Sequence, residues 1–245
     1  MSTIIRADVQ ESVLRTEGVS KDFRGLRVVR DINLAVRRGE CLSIIGPSGS
    51  GKSTVCRLFA GLESPNQGVV YVGHEVLADA SRPRKNDRQR RRIRAKLGFV
   101  PQQYTLFPHL TLAQNIALGP QRVLKLSSDQ VKKSVSVVLA RVGLADKYDS
   151  YPAQMSGGQR QRGAIARELA MQREVIIFDE PTSALDPDLS AEVREVMRQL
   201  ASDGLTMVVV THEMDFAKKF SDRIAVMKGG ELEGIYRPND LFESK

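Results

Sequence analysis

Residues 41–53 read Cys41-Leu42-Ser43-Ile44-Ile45-Gly46-Pro47-Ser48-Gly49-Ser50-Gly51-Lys52-Ser53, and this stretch decides the fold. Its first five residues form an apolar run that predicts a buried strand. The next eight fit the pattern G-x-x-x-x-G-K-[ST] in full. Thr54 to Leu62 then carries Val55, Leu58 and Phe59 at helical spacing. A strand, a glycine-rich loop and a helix in that order build a phosphate cradle. Backbone N–H groups of the loop and the helix start face an anion, and glycines let it approach closely. In such a cradle Lys52 reaches the β- and γ-phosphates and Ser53 ligates Mg²⁺. The competing reading, a Gly/Ser-rich turn with a chance lysine, does not require a strand before it and a helix after it.

A second anion motif lies 100 residues on, at Met155-Ser156-Gly157-Gly158-Gln159. Serine followed by two glycines, opening a segment of helical spacing from Gly157 to Met171, presents unpaired N–H groups and a partial positive charge. One nucleotide rarely needs two cradles from one chain. The economical reading is a nucleotide held between two copies.

Acids at the end of another strand complete the chemistry. Val175-Ile176-Ile177-Phe178-Asp179-Glu180 is an apolar run closed by two carboxylates. Ligands of open α/β sheets bind beyond the carboxyl ends of the strands, which puts Asp179 beside the phosphate loop. Asp179 would hold Mg²⁺ directly or through water, and Glu180 would act as general base on the attacking water. Strands also end in acids that merely cap a following helix. His212 closes the apolar strand Met207–Val210, where an imidazole would contact the γ-phosphate. Gln102 follows the strand Leu97–Val100 and would bond the metal or the lytic water.

Composition sets the bounds. With 245 residues, 41% hydrophobic and 27% charged, the chain reads as globular, with room for a sizeable core. No apolar stretch approaches the ~20 residues that cross a bilayer, and residues 1–10 lack the apolar region of a secretory signal. Cys41 and Cys56 stand in apolar settings and read as reduced core thiols of a cytosolic protein. Charge is concentrated. Residues 82–96 carry nine basic side chains against Asp87, a net +8 that equals the net charge of the whole chain. Three readings fit this segment: a solvated helix face, a patch facing membrane or permease, and a nucleic-acid site.

Pattern places the rest. Val13–Val19 and Val28–Val36 alternate as antiparallel strands, and Val69–Val72 with Glu75–Leu77 around Gly73-His74 reads as a hairpin. Thr111 and Ser128 are candidate caps for helices Leu112–Leu118 and Gln130–Val142. Ser190–Leu200 reads as a helix, Ile224–Met227 as a strand, Gly229-Gly230 as a second hairpin turn, and the tail as a polar stub. The pattern is α/β with an antiparallel edge and a helical insertion at residues 104–160.

These motifs, in this order over about residues 13–242, resemble the nucleotide-binding subunit of ATP-binding cassette (ABC) transporters. The resemblance covers the phosphate loop 46–53 with the adjoining Thr54, the Q-loop glutamine Gln102 and the signature motif 155–159, where Met155 replaces the usual Leu. It continues through the Walker B strand, Ser183-Ala184-Leu185-Asp186 as D-loop, and His212 as switch histidine. It implies a P-loop NTPase (RecA-like) core with a mostly parallel sheet, an antiparallel β subdomain and an inserted α-helical subdomain. The whole is one ABC ATPase domain: residues 12–103 and 161–245 form the core with its antiparallel sheet, and 104–160 the helical part. Phe23 stands where an aromatic residue stacks on adenine, against the plainer reading of a strand-face aromatic. Gln102-Gln103-Tyr104-Thr105-Leu106-Phe107-Pro108-His109-Leu110-Thr111 and Thr211-His212-Glu213-Met214 resemble the polar amino-acid uptake branch. The resemblance therefore implies ATP and Mg²⁺ as ligands and a homodimer that forms on ATP binding. It also implies permease subunits as partners, an indirect solute-binding protein, no nucleic acid, and a peripheral place on the cytoplasmic face of the membrane. Export, lipoprotein or peptide transport, and non-transport ATPases of the superfamily are the alternatives. A coiled-coil head would need sustained heptads between the two motifs, which this region lacks.

Overall fold

The computed structural model describes residues 12–82, 87–103 and 105–242. Arg84 and Lys85 of the basic segment and Tyr104 lie outside the described residues.

Two sheets form the body. Strands β1 (Ser12–Phe23), β2 (Leu26–Arg37), β4 (Gln67–Val72) and β5 (Glu75–Asp79) pair antiparallel in the order β2-β1-β4-β5. The second sheet runs β10-β9-β3-β8-β7-β6, from β3 (Cys41–Ile45), β6 (Leu97–Val100), β7 (Val175–Asp179), β8 (Met207–Val210), β9 (Arg223–Lys228) and β10 (Glu231–Tyr236). Its five strands from β9 to β6 are parallel, and β10 closes one edge antiparallel through the turn at Gly229-Gly230.

The parallel strands are mostly apolar because both faces are covered. Val175 and Ile177 of β7 and Val208 and Val210 of β8 face one core, shared with the antiparallel sheet and helix α1 (Lys52–Phe59). Ile176, Phe178, Met207 and Val209, the alternate residues, face a second core. That core is built with α3 (Leu112–Arg122), α4 (Ser128–Arg141), α5 (Gly157–Leu169) and α6 (Pro187–Ser202). Each such side chain removed from water stabilises the fold by about 1.5–3 kcal/mol, so this two-sided burial holds the strand ends in place. A buried ion pair fixes the other end of the sheet. Arg223 at the start of β9 donates to both oxygens of Glu40 and to the Ala35 carbonyl, with both side chains about 95% out of solvent.

Several boundaries differ from the sequence reading for local reasons. Helix α1 starts at Lys52, with Gly51 as its cap at φ 94°, and ends before Gly61 at φ 63°. The cap of α4 is Ser127, not Ser128. Ser127 Oγ accepts from Gln130 N at 3.4 Å and Gln130 Oε1 accepts from Ser127 N at 2.9 Å, a reciprocal box whose spacing selects residue 127. Asp186 caps α6 with Pro187 at its first position, starting that helix three residues before Ser190. Before the polar end of the tail, whose residues 243–245 lie outside the described residues, α8 (Pro238–Phe242) packs Leu241 and Phe242 against Ile45, Ala217 and Ile224.

In the basic segment, α2 (Asp87–Arg94) is helical. Arg90 donates to the Gly61 carbonyl at 2.9 Å, and Arg92 and Lys96 pair with Glu75, so part of that charge fastens α2 to β5 and the end of α1. Both cysteines are free and buried. Burial, with Asp222 and Glu40 nearby, pushes the Cys41 thiol up to about 12, which keeps it protonated. Among the described residues, no helix is long and apolar enough to cross a membrane.

Candidate active site

Strand order brings the chemistry together. Strand β8 lies between β3 and β7, with Ile44 opposite Val210 and Val210 opposite Asp179. The carboxyl ends of these three neighbours carry the phosphate loop, Thr211-His212 and Asp179-Glu180. One strand further, Val100 pairs with Phe178 and leads to Gln102.

The loop has the shape of a cradle. Gly46, at φ 149°, would place a Cβ 2.1 Å from the Met227 carbonyl oxygen, and Gly51 would place one 2.7 Å from that of Val28, so neither tolerates a side chain. Ser50 is buried, and its Oγ has no hydrogen-bond partner among the described residues. An orphaned hydroxyl beside helix-start N–H groups suits a phosphate oxygen. Lys52 is buried, and its Nζ donates to the Gly46 and Pro47 carbonyls at 3.0 Å each, which holds the ammonium across the loop. Burial pulls its pKa down, against the opposing pull of Glu180 and Asp179.

Ser53 Oγ donates to Asp179 Oδ1 at 2.7 Å. Burial lifts the Asp179 carboxyl above its ordinary range; the Ser53 hydrogen bond acts against that rise and neighbouring Glu180 adds to it. A hydroxyl and a carboxylate side by side are hard oxygen donors that fit Mg²⁺, which takes few protein ligands and completes its shell with phosphate and water. Among the described residues, no hydrogen bond joins exposed Gln102 to either of them, so the structure does not bring Gln102 into that pair.

Glu180 has φ 49°, a region that L-residues rarely occupy, and it precedes Pro181, which narrows its options further. Its N–H donates to the Val210 carbonyl at 3.0 Å, which locks it to β8. The carboxylate Oε1 and His212 Nε2 share a hydrogen bond of 2.8 Å. The carboxylate is thus aimed along the strand ends, where it can accept a proton from water, and the half-exposed imidazole is held beside it.

The second anion motif is a helix start. Ser156 caps α5 in a reciprocal box: Ser156 Oγ accepts from Gln159 N at 3.2 Å, and Gln159 Oε1 accepts from Ser156 N at 3.0 Å. A Cβ on Gly157 would lie 2.9 Å from Leu185 Cδ2, and one on Gly158 would lie 3.1 Å from Leu189 Cβ. An added side chain at either glycine would therefore press on a leucine of the segment 183–186 or of α6. The N–H groups of Gly157 and Gly158 stand where no intrahelical carbonyl reaches them. Among the described residues, no hydrogen bond joins 156–159 to the loop 46–53. Met155 is buried in the second core, as an apolar replacement for Leu requires. Phe23, 38% exposed at the end of β1, lies under the Lys21 ammonium, 4.9 Å from the ring centroid.

Three groups that support the site escape a reading of motifs. Thr182 and Arg194 both donate to the carboxylate of Glu213, the neighbour of His212. Asn115, buried in α3, donates to the Phe107, Leu110 and Thr111 carbonyls and accepts from Phe107 N at 2.7 Å, shaping the loop after the Q-loop. Its signal in the sequence was a polar residue on an apolar helix face. Arg167 donates to Thr105 on the same loop through both guanidinium nitrogens.

A phosphate cradle, a hydroxyl–carboxylate pair and a second carboxylate on a histidine define a phosphate-loop nucleoside-triphosphate hydrolase. The family model described as "ABC transporter" matches residues 29–183. The glutamine transport ATP-binding protein GlnQ of Bacillus subtilis is 49% identical over 216 residues, 88% of this chain and 87% of that one. The glutamate transport ATP-binding protein GluA of Corynebacterium glutamicum is 44% identical over 230 residues, 94% and 93% of the two chains. A solved dimeric ATP-binding cassette in a post-hydrolysis state, bound to ADP and Pi, superposes with TM-score 0.80 at 34% identity, covering 92% of this chain and 98% of that one. The chain belongs to the ABC transporter family, as one of its ATP-hydrolysing cassettes.

Proposed function

We propose that the chain energises uptake of a polar amino acid through a membrane permease, bound at the cytoplasmic face of the membrane and served by a separate solute-binding protein. What supports the reading is likeness along nearly the full length to cassettes named for glutamine and glutamate transport. Two copies close head-to-tail on two ATP molecules. Each ATP lies on residues 46–54 of one copy, with Phe23 on its adenine, and under Ser156, Gly157, Gly158 and Gln159 of the other. The relative solved as a dimer bound to ADP and Pi favours this arrangement.

Glu180 takes a proton from the attacking water, whose oxygen bonds to the γ-phosphorus while the bond to the β–γ bridging oxygen breaks, releasing ADP and phosphate. His212 orients the γ-phosphate beside Glu180, and Lys52 leaves the loop carbonyls for the phosphate oxygens. Ser53, Asp179 and Gln102 would hold Mg²⁺, which when bound neutralises phosphate charge. Loss of the bridging γ-phosphate loosens the dimer, and the region Gln102–His109, beginning the helical part 104–160, passes the motion to the permease. The test is ATPase activity of the complex reconstituted with its permease and binding protein. A polar amino acid should raise the rate several-fold; stimulation by a peptide or lipoprotein, with none by amino acids, would replace the assignment.

A further inference from the structure

Behind the switch histidine sits a carboxylate that neither proton transfer nor metal binding uses. Glu213 occupies the cap position of α7 (Met214–Phe220), and its side chain makes no bond to that helix start. It reaches sideways instead. Its Oε1 accepts from Thr182 Oγ1 at 2.5 Å and its Oε2 from Arg194 Nη1 at 2.6 Å, while its N–H donates to Thr211 Oγ1 at 2.9 Å. Thr182 and Thr211 are buried, and a small cavity of about 10 Å³ lies among Thr182, Met197, Val209 and Phe216 beside them. Ser190 Oγ of α6 also donates to the Thr182 carbonyl at 3.3 Å.

The geometry points to Glu213 as a positioning residue for hydrolysis, a bracket on Thr182 and Arg194 that sets where His212 meets Glu180. His212 lies between two residues held by this bracket, Thr211 and Glu213. Its ring is half-exposed, and it shares a hydrogen bond with Glu180. On the other side, Thr182 follows Glu180 by two residues and opens the turn that carries Ser183–Asp186. One carboxylate therefore ties both ends of the Glu180–His212 contact to α6. Charge-assisted bonds to a part-buried carboxylate are the stronger kind, so the bracket resists displacement of either end. It acts through His212 and touches no substrate.

The experiment uses the purified cassette and rests only on ATP hydrolysis, not on the identity of the transported solute. Glu213→Ala and Arg194→Ala should each lower kcat about 10- to 100-fold, as loss of orientation does, with KM for ATP within about twofold. Glu213→Gln, which keeps an acceptor for Thr182 but loses the ion pair, should lose less. Rates are counted per ATP-binding site by titration, so a misfolded fraction does not enter. The decisive arm is epistasis: in a His212→Ala background, Glu213→Ala should leave the residual rate unchanged. An unaltered kcat in Glu213→Ala, or an equal further fall in the His212→Ala background, overturns the proposal. A wild-type cassette with no ATPase activity would instead refute the dimeric hydrolysis mechanism on which the comparison stands.

Discussion

Glu180→Gln separates binding from chemistry more cleanly than any other substitution in this site. Glutamine matches the size of glutamate and keeps a hydrogen bond to His212 across the same 2.8 Å, so the strand ends should not rearrange. What disappears is the proton acceptor. A positioned general base contributes about 10²–10⁴-fold to a rate, so the barrier should rise by about 2.7–5.5 kcal/mol at 1.36 kcal/mol per tenfold. Asp179, the other acid at these strand ends, is committed to Ser53 and does not replace it. Nucleotide affinity should hold or tighten, since Glu180 is one of the two acids that draw on Lys52. The assay is single-turnover hydrolysis of radiolabelled ATP beside equilibrium binding of the same nucleotide. A kcat within threefold of wild type would remove Glu180 from the role of base, whatever its geometry.

Two further outcomes follow from the buried charges. Asp179→Asn should abolish hydrolysis yet raise the melting temperature at pH 7. The carboxyl is raised in the folded state, so ionising it opposes folding once pH exceeds its unfolded value; the gain should shrink as pH falls and the wild-type carboxyl protonates in both states. Arg223→Met strands Glu40 in the interior and should destabilise the chain by about 3–5 kcal/mol, read by urea unfolding. Adding Glu40→Met should restore most of that loss, and an equally unstable double variant would contradict the pairing.

The cradle, the paired acids and the histidine were legible in the sequence because each sits at the carboxyl end of a short apolar strand. A parallel sheet buried on both faces makes such strands conspicuous as unbroken runs. Boundaries were less legible where a cap decided them. The Ser127–Gln130 box moved the cap of α4 by one residue, and Asp186-Pro187 started α6 before its apolar spacing began. The supporting hydrogen bonds could not be read at all. Glu213 lies 31 residues from Thr182 and 19 from Arg194, and only the placement of β8 beside β7 and α6 makes them neighbours. The signature motif gained a second constraint: its glycines are packed against Leu185 and Leu189, so a side chain added there presses on the D-loop and α6.

The central claim is that ATP joins two copies through residues 46–54 of one and 156–159 of the other. Light scattering of Glu180→Gln with and without ATP measures this directly. The account predicts that ATP converts a 27.2 kDa species into one of about 54 kDa. Adding Ser156→Arg should prevent the change while leaving nucleotide binding intact. A Glu180→Gln chain that binds ATP and stays at 27.2 kDa, or a Ser156→Arg variant that still dimerises, would contradict it.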